Sequence, residues 1–434
     1  MEKEEKKEEW IKQLKENLIN PPKIKADITI EEEKKIILEK TAEVYTEHDL
    51  WKKLKKSKQT KKPLIIKYGI DPTSSGFHLG HFVFLRQLKK IQDLGHQIIF
   101  LIGDFTARIG DPSDKKAARQ PLTKAQVEQN MKNYFSIVSR YIKFGEDGKK
   151  AKLAYNSRWL SKLNLEKFFP LTSTLTVSQM LERDCFSRRF KDNKPIGVNE
   201  FLYPLLQGYD SVALKADVEI GGRDQTFNML VGRDLQKRFY NQEPQVVLTF
   251  PLLLGINGQK MSKTLKNYIS LTDKPQDIYG KIMSLPDNLM KEYFLLLTDI
   301  KLDEWHSIEK AMRQGLNPME VKKVLAEVIT AQIYNPKIAE KERERFVQLF
   351  SQRKITGQKF ETIKTVLPQN FLDILYEYKF IKTKMEGRRL FSQSAIKMIK
   401  EDGSQEIIKD PKYKVSQDGL SFKIGKKIFI TIKK

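Results

Sequence analysis

The segment LIIKYGIDPTSSGFHLGH, Leu64 to His81, decides the fold of this chain. Its first seven residues form an apolar run typical of a buried strand, and a Pro/Ser/Gly-rich loop follows them. Apolar residues then recur at helical spacing between 85 and 94, and Gln97–Ile102 is a second apolar run. Strand, helix and strand within about forty residues form a βαβ unit, which predicts a parallel sheet.

The same alternation of strand and helix continues to about residue 255. Val218–Gly222 has the pattern of a strand end, 225–239 that of a helix, and Val246–Leu254 that of a buried strand. These segments predict one α/β domain with a Rossmann-like parallel sheet over residues 61–255.

The rest of the chain differs in its pattern of apolar and charged residues. Residues 1–60 are predicted as a charged helical extension, 256–355 as a helical domain, 356–375 as a linker and 376–434 as a small α+β domain. Within the extension, one amphipathic helix should end before Pro21, and a second helical stretch should run from Ile30 to Leu54. A solvated charged surface is the alternative interpretation of this extension.

Composition restricts the class of protein. The chain has 434 residues and a formal net charge of +24, which favours an acidic partner such as nucleic acid, although a generally lysine-rich surface would give the same number. Cys185 is the single cysteine, so no internal disulfide forms. The sequence contains no signal peptide and no apolar run long enough for a membrane helix, so we expect a cytoplasmic protein without a membrane partner.

The loop before the first helix is suited to binding phosphate. Backbone N–H groups and the helix dipole attract anions there, and His78 and His81 can donate hydrogen bonds to phosphate oxygens. Gly80 leaves room for an adenine ring against the backbone. Two histidines that merely cap a helix are an equally good interpretation of this motif taken alone.

A second motif, GQKMSKT, occupies Gly258 to Thr264 after the last strand. Lys260 and Lys263 flank a turn there, so two ammonium groups can close on a pyrophosphate whose charge grows in the transition state. A pair of lysines means little in so lysine-rich a chain, and the order of the two motifs is what makes the signal specific.

Together, HLGH and KMSKT resemble the two signature motifs of the class I aminoacyl-tRNA synthetases. The segments FTARIGDPSDKKAAR from Phe105, NEFLYPLLQGYD from Asn199 and EIGGRDQTFN from Glu219 resemble the bacterial tyrosyl-tRNA synthetase family. The resemblance runs from about 45 to 355. It implies a Rossmann-like catalytic domain that activates L-tyrosine with ATP and transfers it to tRNA(Tyr). ATP would be a substrate, Mg²⁺ would be bound through its phosphates, and the protein would be a homodimer through the region around 170 to 200.

The spacing of Tyr203, Gln207 and Asp210 places a phenol, an amide and a carboxylate on one helix face. Because apolar residues surround them, they predict a polar pocket, and an ordinary polar surface is the alternative. The resemblance implies that Asp111, Tyr203 and Gln207 hold the tyrosine ammonium with Asp71 nearby, that Asp210 holds the phenol and that Gln225 contacts the carboxylate. It implies a site for ATP and its phosphates formed by these residues: Thr73, His78, Gly80, His81, Lys115, Arg119, Gly222, Asp224, Lys260, Met261, Lys263 and Thr264.

Position 67 departs from the family pattern. Many members have a tyrosine there that helps to bind the phenol, whereas this chain has Lys67 followed by Tyr68. Strand alternation places 67, 69 and 71 on one face, so Lys67 should face the pocket, where its ammonium could pair with Asp210 and donate to the phenol oxygen. A solvated lysine at the rim of the sheet is the alternative.

The segment TKMEGRRLFSQSAIKM, Thr383 to Met398, resembles the helix-turn-helix of the RNA-binding module named after ribosomal protein S-four. Residues 376–434 carry fifteen basic against seven acidic side chains, and Arg388 and Arg389 suit bidentate phosphate contacts with tRNA. A basic capping subdomain is the alternative.

Three other functions remain open from the sequence. Tryptophanyl-tRNA synthetase shares the architecture, but a carboxylate at Asp210 suits a phenol better than an indole. A nucleotidylyltransferase also uses H-x-G-H, yet it would lack KMSKT and the basic tail. A non-catalytic RNA-binding relative would not need both histidines and both lysines of the two motifs.

Overall fold

The computed structural model of the chain describes residues 2–24, 28–73, 76–113, 122–148, 150–261, 266–351, 360–399, 405–425 and 428–434. Contacts divide the chain into two compact units, residues 1–336 and 337–434. Within the described ranges, no helix has both the length and the apolar character needed to cross a membrane.

A six-stranded sheet forms the centre of the first unit. Its strands lie in the order β1, β6, β5, β2, β3, β4, and every neighbouring pair is parallel except the antiparallel pair of β1 and β6. The mostly parallel sheet predicted from the βαβ pattern is thus confirmed. The strands are β1 (Glu43–Tyr45), β2 (Ile65–Ile70), β3 (Gln97–Ile102), β4 (Lys152–Tyr155), β5 (Val218–Gly222) and β6 (Val246–Phe250).

Sixteen helices surround and extend this sheet in the described part of the first unit. They are α1 (Glu2–Ile19), α2 (Ile30–Ile37), α3 (Glu47–Thr60), α4 (Leu79–Asp93), α5 (Lys124–Met131), α6 (Tyr134–Val138), α7 (Ser157–Leu160), α8 (Leu165–Thr172), α9 (Val177–Glu182), α10 (Asp184–Lys191), α11 (Val198–Leu214), α12 (Thr226–Phe239), α13 (Pro275–Met283), α14 (Met290–Leu297), α15 (Leu302–Arg313) and α16 (Pro318–Ile333). Short 3-10 turns occur at Thr106–Arg108, Arg223–Gln225 and Asp287–Leu289. Helices α13 to α16 confirm the helical texture predicted after the last strand.

The single helical stretch predicted from Ile30 to Leu54 is wrong. The structure breaks it into α2, the edge strand β1 and α3. Lys40, just after the end of α2, has a positive φ of 65°, which is incompatible with a continuing helix. The Thr46 side chain accepts a hydrogen bond from the Asp49 N–H and caps the start of α3. Pairing of β1 with β6 satisfies the backbone between them, so tertiary contacts override the local helical pattern.

The N-terminal helix α1 ends at Ile19, as the prolines predict, and lies on α16. Its Leu18 is buried, and the Lys15 ammonium lies 3.0 Å from Glu327 Oε1 on α16. The helix is therefore packed into the first unit.

The central strand β2 presents its two faces to different helices. The Tyr68 ring packs against Phe84 of α4 and Phe100 of β3, while Lys67 reaches α11 on the opposite face. The alternation expected at positions 67 and 68 is confirmed. Helices α4 and α11 therefore lie on opposite faces of the sheet, on either side of the carboxyl end of β2.

The second unit has its own sheet and core. Helix α17 (Pro336–Phe346) begins at the boundary, and the sheet order is β10, β9, β12, β13, β7, with a separate pair of β11 and β8. Phe371, Phe391 and Phe422 are fully buried in its core. The elements are a π-helical turn (Val347–Ser351), β7 (Glu361–Lys364), β8 (Gln369–Asn370), α18 (Phe371–Glu377), α19 (Lys384–Ser392), β9 (Ile396–Ile399), β10 (Gln405–Ile407), β11 (Lys414–Val415), β12 (Ser421–Ile424) and β13 (Ile428–Lys433).

The boundary between the two units differs from the predicted domain limits. It falls after Pro336, and residues 361–370 of the predicted linker supply β7 and β8. Strand β7 pairs in parallel with β13, and Ile363 is buried in the core of the second unit. One buried residue in a short strand is too weak a pattern to be seen in the sequence.

Candidate active site

Two histidines stand at the amino end of α4, immediately after the loop that leaves β2. His78 is the N-cap residue; its Nδ1 accepts from the Gly80 N–H at 3.1 Å, and His81 Nδ1 accepts from the His78 N–H at 3.2 Å. An accepting Nδ1 carries no proton, so each neutral ring has its N–H at Nε2. The arrangement combines a capped helix with two ring donors at the positive end of the helix dipole.

Gly80 is required by the neighbouring imidazole. A Cβ at this position would lie 2.9 Å from Cε1 of His78 and 3.9 Å from the Met261 sulfur. A side chain would therefore push His78 away from the helix end. Gly80 was expected to leave room for an adenine ring. The structure adds a second reason for glycine here, which is the close approach of the His78 ring.

The face of α11 that carries Tyr203, Gln207 and Asp210 lies against the sheet, as their spacing predicts. The Tyr203 hydroxyl donates to Asp71 Oδ2 at 2.8 Å, and both Tyr203 and Asp210 are buried. The polar face is thus turned inward, and the alternative of an ordinary surface is excluded.

Asp71 connects this face to the loop after β3. Its Oδ1 accepts from the Thr106 hydroxyl at 2.6 Å, and burial raises the pKa of its carboxyl to about 7. Gly103 passes so close that a Cβ there would lie 2.0 Å from Asp71 Oδ1. Thr106 was not identified from the sequence.

Asp210 is held by two donors that the sequence does not reveal. Asn156 Nδ2 donates to Oδ2 at 3.1 Å and Trp159 Nε1 donates to Oδ1 at 2.7 Å, while Asn156 also reaches Thr106 at 3.0 Å. Burial raises the pKa of the Asp210 carboxyl to about 7, against the lowering by Lys67 and these donors. The signal for them was the position of Asn156 directly after β4, at the same edge of the sheet as Asp71.

Lys67 faces α11 as predicted, but its ion pair is not with Asp210. Its ammonium lies 2.9 Å from Glu219 Oε1 and donates to the Gln207 carbonyl at 3.0 Å and to Ser211 Oγ at 2.8 Å. The register of the sheet explains this, because Lys67 of β2 is directly opposite Glu219 of β5. The alternative of a solvated lysine is excluded, since Lys67 is fully buried.

A chain of amides joins the remaining substrate candidates. Asn228 donates to Gln207 Oε1 at 3.2 Å and to Gln225 Oε1 at 3.1 Å. Gln225 Nε2 in turn donates to Asp111 Oδ2 at 2.5 Å. Asn228 thus orients both glutamines through their oxygens; the N–H₂ group of Gln225 faces Asp111 and that of Gln207 faces Glu219.

Gly222, Asp224 and Lys260 come together beside the end of β5. The Lys260 ammonium lies 3.2 Å from Asp224 Oδ2, and a Cβ on Gly222 would lie 2.5 Å from Asp224 Oδ1. Burial raises the pKa of Asp224 to about 6 and lowers the pKa of Lys260. The structure therefore brings the KMSKT lysine next to the predicted ribose carboxylate.

The other predicted residues are distributed as follows. Thr73 lies in the loop after β2, where its N–H donates to the Asp71 carbonyl at 2.7 Å, and Met261 is buried. Lys115, Arg119, Lys263 and Thr264 lie outside the described residues. Arg388 and Arg389 are exposed on α19 of the second unit.

The carboxyl edge of the sheet thus combines several chemical functions. Buried carboxylates can accept from an ammonium and a hydroxyl, amide groups can donate to a carboxylate, and histidines and a lysine can face phosphates. Among the residues that the structure describes, no three His, Cys, Asp or Glu side chains are placed to hold a metal ion.

Comparisons with known proteins agree with this chemistry. The family described as "tRNA synthetases class I (W and Y)" matches residues 58–351. A "Tyrosine--tRNA ligase" of Carboxydothermus hydrogenoformans is 42% identical over 92% of this chain and 96% of its own length, and one of Aquifex aeolicus is 42% identical over 93% and 99%.

Solved structures share the fold. A tyrosyl-tRNA synthetase from Archaeoglobus fulgidus, complexed with L-tyrosine, superposes with a TM-score of 0.57 at 22% identity and covers 73% of this chain and 100% of its own. A truncated mitochondrial tyrosyl-tRNA synthetase from Aspergillus nidulans gives a TM-score of 0.58 at 23% identity, with 80% and 100% covered. Identity above 40% over nearly the full length shows that this chain belongs to the tyrosine–tRNA ligases, within class I of the tRNA synthetases.

Proposed function

We propose that the pocket at the carboxyl edge of the sheet joins L-tyrosine to ATP and then passes tyrosine to the 3′ end of tRNA(Tyr). The observation that carries this assignment of residues is the inward face of α11, which presents a buried phenol and a buried carboxylate between β2 and β4. A buried carboxylate of this kind favours binding of a ligand that supplies hydrogen-bond donors.

Tyrosine would lie along this face. Its ammonium would be held by Asp111, Tyr203 and Gln207, with Asp71 behind Tyr203, and its carboxylate would contact Gln225. Its phenolic O–H would donate to Asp210, whose two oxygens retain acceptor capacity beyond the bonds from Asn156 and Trp159.

ATP would lie over the amino end of α4. His78 and His81 would donate to its phosphates near Thr73, its adenine would pass Gly80 and Met261, and its ribose would meet Gly222 and Asp224. Lys260 supplies a positive charge beside the ribose site. Lys115, Arg119, Lys263 and Thr264 would complete the pyrophosphate site.

The first reaction needs position and charge more than acid–base groups. A carboxylate oxygen of tyrosine attacks the α-phosphorus in line, its bond to phosphorus forms, and the bond to the bridging oxygen breaks to release pyrophosphate. The cationic side chains of the pyrophosphate site stabilise the negative charge that accumulates on this leaving group. A terminal ribose hydroxyl of tRNA then attacks the tyrosyl carbonyl and AMP leaves. Mg²⁺ would accompany the phosphates, because no acidic cluster of the described residues is placed to hold it.

Residues 376–434 of the second unit would be the S-four-like RNA-binding domain. Its exposed Arg388 and Arg389 sit on the surface of α19 over a core of its own, as phosphate contacts require. With the α/β and helical regions of the first unit, it makes a three-part enzyme, which we expect in the cytoplasm.

The enzyme would act as a homodimer through the region of α8 to α11. Large apolar side chains in this region have 62% or more of their surface exposed. Such apolar exposure is typical of a surface that a partner covers. These side chains are Leu165, Phe169, Val177, Phe190 and Val198.

Pyrophosphate exchange tests the assignment. ATP and labelled pyrophosphate are incubated with the enzyme and each of the twenty amino acids in turn, and exchange should occur with tyrosine alone. Exchange with tryptophan would indicate the related synthetase, and no exchange with any amino acid would contradict a synthetase. Loss of tyrosine-dependent exchange in Tyr203→Phe and Asp210→Ala would place the reaction in this pocket.

A further inference from the structure

A buried ion pair lies beneath the tyrosine pocket. Lys67 in β2 and Glu219 in β5 leave 1% and 3% of their side chains exposed, and their charged atoms are 2.9 Å apart. A buried pair of this kind contributes little more to stability than apolar side chains of the same volume would. Stability alone therefore does not account for it.

The other bonds of the pair lead to the substrate-facing helix. Lys67 donates to the backbone carbonyl of Gln207 and to Ser211, one and two helical turns along α11 from Tyr203. Glu219 accepts from Ser211 at 3.0 Å and from Gln245 at 2.5 Å, and its Oε1 lies 3.5 Å from Gln207 Nε2. The pair thus ties the helix that carries Gln207 and Asp210 to the centre of the sheet.

We propose that Lys67 and Glu219 are positioning residues of the tyrosine pocket. Lys67 is bonded to the turns of α11 on either side of Asp210 and brings a positive charge to this part of the pocket, while Glu219 holds Lys67 in place and limits the effect of that charge. The inference rests on the function proposed above, and it replaces the direct contact between Lys67 and the phenol that the sequence suggested.

The charges around Asp210 act in opposite directions. Burial raises the pKa of this carboxyl to about 7, the Lys67 ammonium lowers it, and the Glu219 carboxylate raises it. Asp71 at the end of β2 and Tyr203 on α11 also interact with Asp210, and Asn156 and Trp159 donate to it from the β4 side. Near neutral pH, either member of the ion pair can therefore shift the balance between charged and neutral Asp210.

The opposite signs give a direct test. Pyrophosphate exchange by the full-length enzyme is measured from about pH 5.5 to 8.5 with tyrosine and with phenylalanine, and the ratio of the two kcat/KM values is plotted. Both amino acids use the same ammonium and ATP sites, so the ratio isolates the group that meets the hydroxyl. In the wild-type enzyme the ratio should rise with pH, as Asp210 ionises.

Lys67→Met should move this rise to higher pH by about one pH unit, because an opposite charge close to a carboxyl has an effect of at least that size. Glu219→Gln should move it to lower pH. The double variant, Lys67→Met with Glu219→Gln, should return it toward the wild-type position. A merely structural role predicts lower activity at all pH values, with no shift or with shifts of the same sign.

The two single variants keep the test decisive even when one of them is poorly folded. If Lys67→Met does not fold, a shift to lower pH in Glu219→Gln supports the inference, and no shift or a shift to higher pH overturns it. A wild-type enzyme without tyrosine-dependent exchange would overturn the proposed function, and this inference with it. An active wild-type enzyme whose variants keep its pH profile would overturn this inference alone.

Discussion

Replacing Asp210 with alanine should damage the use of tyrosine far more than the use of phenylalanine. A hydrogen bond to a charged group contributes about 1.5–3 kcal/mol. Since about 1.4 kcal/mol corresponds to a factor of ten, kcat/KM for tyrosine should fall roughly tenfold to 150-fold. Phenylalanine has no hydroxyl and makes no such bond, so its kcat/KM should change by less than about threefold.

The structure also shows why alanine is a better probe than asparagine. Both oxygens of Asp210 accept from N–H groups, those of Asn156 and Trp159. An amide in this place would turn its own N–H₂ toward one of these donors. Alanine leaves Trp159 without its acceptor, at a cost to folding stability of about 1–3 kcal/mol, whereas Asn156 keeps its bond to Thr106.

The assay is pyrophosphate exchange with both amino acids, and Val212→Ala is the matched control. Val212 is buried on the other side of α11, in a cluster with Leu205 and Leu235. Its truncation should destabilise the same helix while affecting tyrosine and phenylalanine equally. If Asp210→Ala reduced both substrates by the same factor, the residue would support the fold or the ammonium site, and our placement of the phenol would be wrong.

Three further changes test other parts of the enzyme. Lys263→Ala should slow adenylate formation by on the order of a hundredfold, since a charge aimed at a developing oxyanion contributes about 3 kcal/mol. A rapid-quench measurement should show unchanged tyrosine affinity, and an equal loss of affinity would make the lysine a ground-state contact. Gly80→Ala should lower the rate with ATP at least tenfold, on the order of one displaced hydrogen bond, because its Cβ displaces His78; unchanged kinetics with ATP would refute that reasoning. Arg388→Ala combined with Arg389→Ala should weaken tRNA binding and reduce the slope of log Kd against log salt by about two, while pyrophosphate exchange is spared; an unaltered salt slope would leave this surface without a role in tRNA binding.

The sequence predicts those parts of the site that depend on local spacing. The βαβ unit follows from apolar runs, and the inward face of α11 follows from the spacing of Tyr203, Gln207 and Asp210, because a helix repeats every 3.6 residues. The side of the sheet on which Lys67 lies follows equally from strand alternation.

Contacts between distant segments are not available in such patterns. Thr106 follows β3, Asn156 and Trp159 follow β4, and Glu219 lies within β5. Only the order of strands in the sheet brings these residues to Asp71, Asp210 and Lys67. The partner of Lys67 was missed because it is set by the register between β2 and β5, 152 positions apart in sequence. The broken helix after Ile30 has the same cause, since β1 exists only where β6 can pair with it.

The attachment of α1 to α16 has a consequence for the order of events during synthesis. Lys15 and Glu327 are separated by 312 positions, so the first helix leaves the ribosome long before its binding surface exists. At about 5–20 residues per second, that interval is roughly 15 to 60 seconds. Through this time the apolar side of α1, with Leu18, remains exposed on the nascent chain. It is therefore a segment for a chaperone to bind during this interval, and its packing on α16 forms only after α16 has been synthesised.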